Sequence, residues 1–236
     1  MIRKAAVQRF PLTLSLLASL TLQYFIASTV LSEPAPAADE ILASVRMQQS
    51  RQQIDLEGQL RQEEVIVPFH LTQNGPVIRY IFSNPDQTLQ LQLGDKTSRL
   101  DEISRSGIEK LSPAQLDRKI RGTNVAYEDL SLKFLYWRDA QVLGSERVRS
   151  RDCWKLQLRP PSRQSQYSNV LLWVDKESGA LMRMEGYNWE GLSVKRFEVV
   201  SAQKINGRWF LKQMRIEQVQ PGTNHVLSRT YLEIKK

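Results

Sequence analysis

A two-residue period of apolar and polar side chains runs through most of this chain, and few folds satisfy it. From Gln141 to the end the alternation is nearly unbroken, giving strand-like segments near 140–148, 151–159, 168–175, 180–188, 193–203, 208–219 and 225–235. Successive side chains of a strand point to opposite faces, so each segment presents one apolar face. Turn chemistry separates them: Lys176-Glu177-Ser178-Gly179, Asn188-Trp189-Glu190-Gly191, Ile205-Asn206-Gly207 and Pro221-Gly222-Thr223-Asn224. The same period appears earlier. Ile54, Leu56 and Leu60 alternate with Asp55, Glu57 and Gln59, and Val65, Val67, Phe69 and Leu71 continue it. Val77 to Phe82 lies between Asn74-Gly75-Pro76 and Asn84-Pro85-Asp86, and Leu89, Leu91 and Leu93 alternate with glutamines. These segments amount to about eleven strands joined mostly by short hairpins. The prediction is a mainly β fold, a meandering antiparallel sheet long enough that it must curl or close.

Helices are scarce. Ile41, Leu42 and Val45 share a helical face behind the acids Asp39 and Glu40, which predicts a helix over about 39–50. Ser112-Pro113 offers an N-cap and a first-turn proline, with Gly122 at the expected end of a helix over 112–121. Asp129 is placed to cap a third helix over 129–137, where Leu130, Phe134 and Trp137 form one stripe and Leu132, Leu135 and Tyr136 the other side. An insert apolar nearly all round is expected to be buried. Three short helices cannot dry one face of so many strands if the sheet lies flat. A curved sheet with helices in its mouth solves this and leaves room for an apolar cavity; a fully filled core meets the same pattern.

The first residues carry a different signal. Arg3, Lys4 and Arg9 precede an uncharged run from Pro11 to Ser32, and Ala35-Pro36-Ala37 follows Glu33-Pro34. A basic start, an apolar middle and a small-residue end describe a secretory signal peptide over 1–37, cleaved near Ala37/Ala38. An uncleaved anchor is the alternative, because about 20 apolar residues can span a bilayer. Export would place residues 38–236 in a periplasm, and no cysteine follows the apolar run as a site for lipid attachment. The chain has 33 Lys+Arg against 25 Asp+Glu, or +8; removing the leader leaves 30 against 24, or +6. One cysteine, Cys153, cannot close an intrachain disulfide or build a thiolate metal site. It is either a small buried residue or, if exposed, a redox-active thiol. Two histidines, His70 and His225, leave little for His-based metal or nucleophilic chemistry.

The order of several blocks resembles a known family. Arg121-Gly122-Thr123-Asn124-Val125-Ala126-Tyr127-Glu128-Asp129-Leu130-Ser131 comes first, followed by Cys153-Trp154-Lys155-Leu156 and Leu172-Trp173-Val174-Asp175-Lys176. Glu185-Gly186-Tyr187, Val194-Lys195-Arg196-Phe197 and Gly207-Arg208-Trp209 complete the series. The succession is similar to that of bacterial outer-membrane lipoprotein-sorting proteins, of the LolA/LolB-like superfamily. The resemblance implies an open antiparallel half-barrel with helices as a lid, a LolA-like lipid/lipoprotein-binding domain over 38–236. It implies a periplasmic carrier or chaperone that shelters lipoprotein or lipid acyl chains on their way to the outer membrane. The alternative within this fold is a sensor or adaptor that binds an inner- or outer-membrane protein. The founding carriers hold the lid with an arginine on an early strand; here Arg61 and Arg79 both lie on such strands.

The apolar positions expected to face a cavity are Leu56, Val67, Phe69, Ile81, Leu91, Leu156, Leu172, Met184 and Leu211, with Phe134 and Trp137 from the insert. Ordinary core packing explains the same residues. Each buried acyl CH₂ stabilises by about 0.8 kcal/mol, so a long chain needs no catalytic group, metal or cofactor to be held. Arg147, Arg149 and Arg151 alternate, and on one extended strand they would share a face; with Lys195, Arg196, Lys212 and Arg215 they would form a basic docking patch for anionic lipid headgroups or a membrane partner, unless they are only a solvated surface. Nucleic acid is a poor partner for an exported chain whose bases are interspersed with acids. Neither Ser131 nor Ser193 lies in a nucleophile elbow or near a histidine in sequence, so an enzyme is not expected.

Overall fold

The structure is a computed structural model, and it describes residues 35–205 and 207–235. The leader expected over 1–37 lies outside the described residues except for its last three. Strands hold 56% of the fold, in one antiparallel sheet of thirteen that does not close into a barrel. The strands are β1 (Gln53–Gln62), β2 (Val65–Asn74), β3 (Val77–Phe82), β4 (Gln87–Leu93), β5 (Ser98–Ser104), β6 (Gly107–Lys110) and β7 (Asp139–Val148). Then come β8 (Arg151–Arg159), β9 (Asn169–Asp175), β10 (Leu181–Tyr187), β11 (Ser193–Ile205), β12 (Arg208–Val219) and β13 (Val226–Ile234). Their order across the sheet is β6-β5-β4-β3-β2-β1-β13-β12-β11-β10-β9-β8-β7. Two hairpin meanders therefore meet at one long-range seam, β1 against β13, where Gly58 pairs with Ile234 and Leu60 with Leu232.

Eleven of these strands follow the alternation; β5 and β6 are additional. In β5 the period breaks, because Ser98 and Asp101 are buried beside Leu100. β6 is an edge strand with every residue exposed, so nothing in its sequence had to alternate.

Helix α1 (Ala38–Gln49) lies where the sequence predicts it and buries Ile41, Leu42 and Val45. The connection from β6 to β7, residues 111–138, differs from expectation. Ser112 does cap a helix, donating to Gln115 Oε1 at 2.7 Å and accepting from the Gln115 N–H, but this α2 (Pro113–Leu116) is a single turn. The apolar insert is split into α3 (Tyr127–Ser131) and a 3₁₀ turn (Lys133–Tyr136), because Leu132 between them adopts a left-handed φ of 51°. Asp129 does not begin the insert; it sits one turn inside α3 and its carboxylate accepts the Ala126 N–H at 2.7 Å.

This connection proves that the sheet is curled. The Ser131 carbonyl accepts from Ser98 of β5 at 2.6 Å, while Asp129, two residues away, pairs with Lys195 of β11 at 2.8 Å. β5 and β11 are seven strand positions apart, about 34 Å in a flat sheet at the usual strand spacing. A carbonyl and a side chain two residues apart cannot span that distance, so the sheet wraps around residues 111–138. One continuous core results, with Leu89, Leu91, Leu156, Leu158 and Leu172 fully buried beneath α1 and this cover. A second, smaller cluster of Val148, Cys153 and Trp173 lies apart from it. Two strand glycines make room for rings: a Cβ on Gly186 would stand 2.2 Å from the Tyr167 ring, and one on Gly58 2.5 Å from Phe69.

Candidate functional site

The inner face of the sheet, with its cover, is the candidate site. Val67 and Phe69 on β2, Leu91 on β4, Leu156 on β8, Leu172 on β9 and Met184 on β10 are buried in one core cluster, joined by Phe134 and Trp137 from the cover. Leu56 is half-buried against the same cluster. Ile81 and Leu211 are corrections. Ile81 pairs with His70, out of phase with Phe69, so it faces outward and is 37% exposed. Leu211 stands on the projecting end of the β11–β12 hairpin, half-exposed and outside the core cluster. Where α1 borders β8, β9 and the β9–β10 turn, a cleft of about 530 Å³ opens beside Ile41, Val45, Trp154 and Val174. That volume falls within the usual range for small-ligand sites.

One polar cluster fastens the cover inside the apolar face. Asp129 accepts from Lys195 at 2.8 Å, from the Tyr167 hydroxyl at 2.6 Å and from the Ala126 N–H. Lys195 is only 4% exposed, an expense no strand would carry without a counter-charge. Burial, and then Asp129 itself, pushes the Tyr167 hydroxyl well above the ordinary tyrosine range. Burial also raises Glu128, whose carboxylate accepts the Gln166 N–H at 2.9 Å, and Asp117. Further along, Thr230 of β13 accepts the Asn124 N–H at 3.0 Å. The Arg46 guanidinium of α1 donates to the Leu135 carbonyl at 2.6 Å.

Neither early-strand arginine touches this cover. Arg61 faces outward, bonded to Glu233 at 2.7 Å and stacked over Tyr231, and Arg79 donates to Gln90 at 2.9 Å. The strand side of the fastening is Lys195, late in the chain. Lys195 therefore leaves the surface patch expected of it: with Phe197 inward it shares that face, and of the two neighbours only Arg196 joins the outer bases.

The three arginines do not share a face. Arg149 and Ser150 form the β7–β8 turn, so Val148 pairs with Arg151 and Arg147 with Asp152. Arg147 and Arg151 consequently project to opposite sides. Each is paired: Arg147 with Asp152 at 3.1 Å, Arg149 with Glu198 at 3.2 Å, and Arg151 with the buried Asp175 at 2.6 Å. Arg149, through Glu198 and Arg215, joins an outer lattice in which Glu217 is ringed by Arg196, Arg215 and Arg229.

The buried Ser131 hydroxyl donates to the Glu128 carbonyl, whereas His70 lies on the outer face with Asp55 at 2.6 Å. The Cys153 thiol is buried, packed with Val148 and Trp173, and burial pushes its pKa up. Among the described residues no group of three His, Cys, Asp or Glu is placed to hold a metal.

An open, curled antiparallel sheet covered by short helices is the LolA-like fold. It is shared with a domain from Vibrio parahaemolyticus described as outer membrane lipoprotein-sorting, at TM-score 0.64 and 16% identity, covering 84% of this chain and 90% of that one. A DUF1329 family protein from Desulfovibrio piger matches at TM-score 0.64 and 19% identity, over 84% and 90% of the two chains. A LolA superfamily protein from Nitrosomonas europaea matches at 0.60 and 18%, over 86% and 93%. A family model described as "-like: Uncharacterized protein" matches residues 104–236, more than half of the chain, and the chain belongs to that family. No curated protein matches it.

Proposed function

We propose that this protein is a periplasmic carrier that shelters acyl chains of lipoproteins or lipids on the inner face of its curled sheet. The observation that carries the reading is the nature of the cover. The apolar inner face is dried by one three-turn helix and by single helical turns, attached through a handful of polar contacts. A layer this thin can be exchanged for a ligand without breaking the strand ladder. An acyl chain entering at the cleft beside α1 would replace cover side chains against Trp154, Val174 and Leu172, recovering about 0.8 kcal/mol for each buried CH₂. No bond is made or broken. The basic-apolar-small pattern of residues 1–37 supplies the route to the periplasm, and the lipoprotein-sorting description of the Vibrio domain is consistent with the cargo class.

The test is gentle purification of the exported protein followed by native mass spectrometry and lipid extraction. Stoichiometric acyl lipid or acylated peptide is expected. An interior that takes no acyl ligand from any membrane extract would overturn the reading.

A further inference from the structure

The end of the β11–β12 hairpin has properties that the inner-face site does not use. The outermost contact of β12 with β13 is Gln213 against Glu233, and the outermost contact of β11 with β10 is Glu198 against Arg183. Beyond these the two strands pair only with each other, from Ala202–Leu211 to Ile205–Arg208, and project about 15 Å from the sheet. An isolated ribbon of this length would ordinarily be polar. This one carries Trp209, 72% exposed and the most exposed large apolar side chain among the described residues. Phe210, Leu211 and Ile205 are half-exposed around it. Cross-strand pairing puts Lys204 beside Trp209 on one side, and Phe210 and Ile205 on the other. From Glu198 to Glu217 the sequence contains four bases, Lys204, Arg208, Lys212 and Arg215, and no acid between the two glutamates.

We propose that this hairpin end docks the protein onto a membrane surface rich in anionic lipid headgroups. Tryptophan sits best at the boundary between headgroups and acyl chains, where its ring is apolar and its N–H stays wet. Lysines beside it meet the anionic phosphates, each contributing about 1 kcal/mol near such a surface. The shape favours a bilayer over a protein: apolar groups lie on both sides of a projecting ribbon, whereas a protein partner would cover one face. With Lys204 and Lys212 exposed, this end complements the charge of anionic lipid and not that of a neutral surface.

Bromine-labelled vesicles test this with the full chain. Trp209→Phe removes one of five tryptophans, so the fluorescence difference between wild type and this variant isolates Trp209, whatever else anchors the chain. With phosphatidylglycerol-containing vesicles brominated near the headgroups, the difference signal should shift to the blue and be quenched. With phosphatidylcholine vesicles it should not. Lys204→Gln with Lys212→Gln should raise the vesicle concentration that half-quenches Trp209 about 30-fold. All three positions are exposed, so unchanged unfolding midpoints check that the variants are folded. Trp209 left unquenched by bound vesicles, equal quenching by neutral ones, or no vesicle binding would each overturn the proposal. Acyl-lipid retention by the same variants keeps this outcome separate from that of the carrier reading.

Discussion

Asp129 is buried, and three donors from three parts of the chain converge on it: Lys195, Tyr167 and the Ala126 N–H. Removing one member of a buried pair strands the other, which costs about 3–5 kcal/mol. Lys195→Met should therefore lower stability by about that amount, and Asp129→Leu by a similar one. The two together should cost far less than their sum, because an apolar pair of similar volume has no charge to desolvate. Urea midpoints for the four proteins of the cycle measure the coupling, and additive losses would show that the pair is not a unit. Little of this was visible in the sequence. Asp129 had the spacing of an N-cap and Lys195 adjoined Arg196, so both suited a solvated surface. Only the inward parity of Phe197 hinted otherwise, and no local pattern pointed to Tyr167 as a third partner.

At the scale of elements, the strands were legible where one face was wet and the other dry. They were not where a strand buried polar groups, as β5 does at Ser98 and Asp101, or lay exposed at an edge, as β6 does. The helical connection was the least legible, because single turns are fixed by the contacts around them more than by propensity. Hairpin order was implied by the short turns; the β1–β13 seam was not, since its partners lie about 170 residues apart. Arg61 and Glu233 staple the outer side of that seam at 2.7 Å, with Gln59 and Gln213 also donating to Glu233. The Arg61 hydrogen bond leads in holding the Glu233 carboxyl down from 4.5 to about 2. A lowered folded-state value means that the unfolded chain binds the proton more readily. The seam's contribution is thus complete above pH 4.5 and is lost as the pH falls towards about 2. Glu233→Gln should be less stable than wild type at pH 6, and the two unfolding midpoints should converge on acidification. A gap that stays constant down to pH 2.5 would assign the staple no electrostatic role.

The whole molecule is a strong ladder around a weak cover. Thirteen strands share continuous backbone pairing, whereas residues 111–138 rely on isolated turns such as Leu135 N–H to the Leu132 carbonyl and on a few side-chain contacts to the sheet. Local opening draws on the segments with the fewest such bonds. Amides of 111–138 should exchange with deuterium at least about 30-fold faster than those of β8 and β9, corresponding to an opening about 2 kcal/mol easier than that of the sheet. Bound acyl lipid should widen this difference, because a chain seated against Leu172 and Trp154 displaces cover residues while the ladder beneath them stays paired. Exchange mass spectrometry on lipid-loaded and delipidated protein makes the comparison peptide by peptide. Equal protection of cover and sheet would mean that the interior opens only when the whole domain unfolds. An apolar face that opens only by global unfolding cannot load and release cargo, so that result would count against carriage as well as against a movable cover.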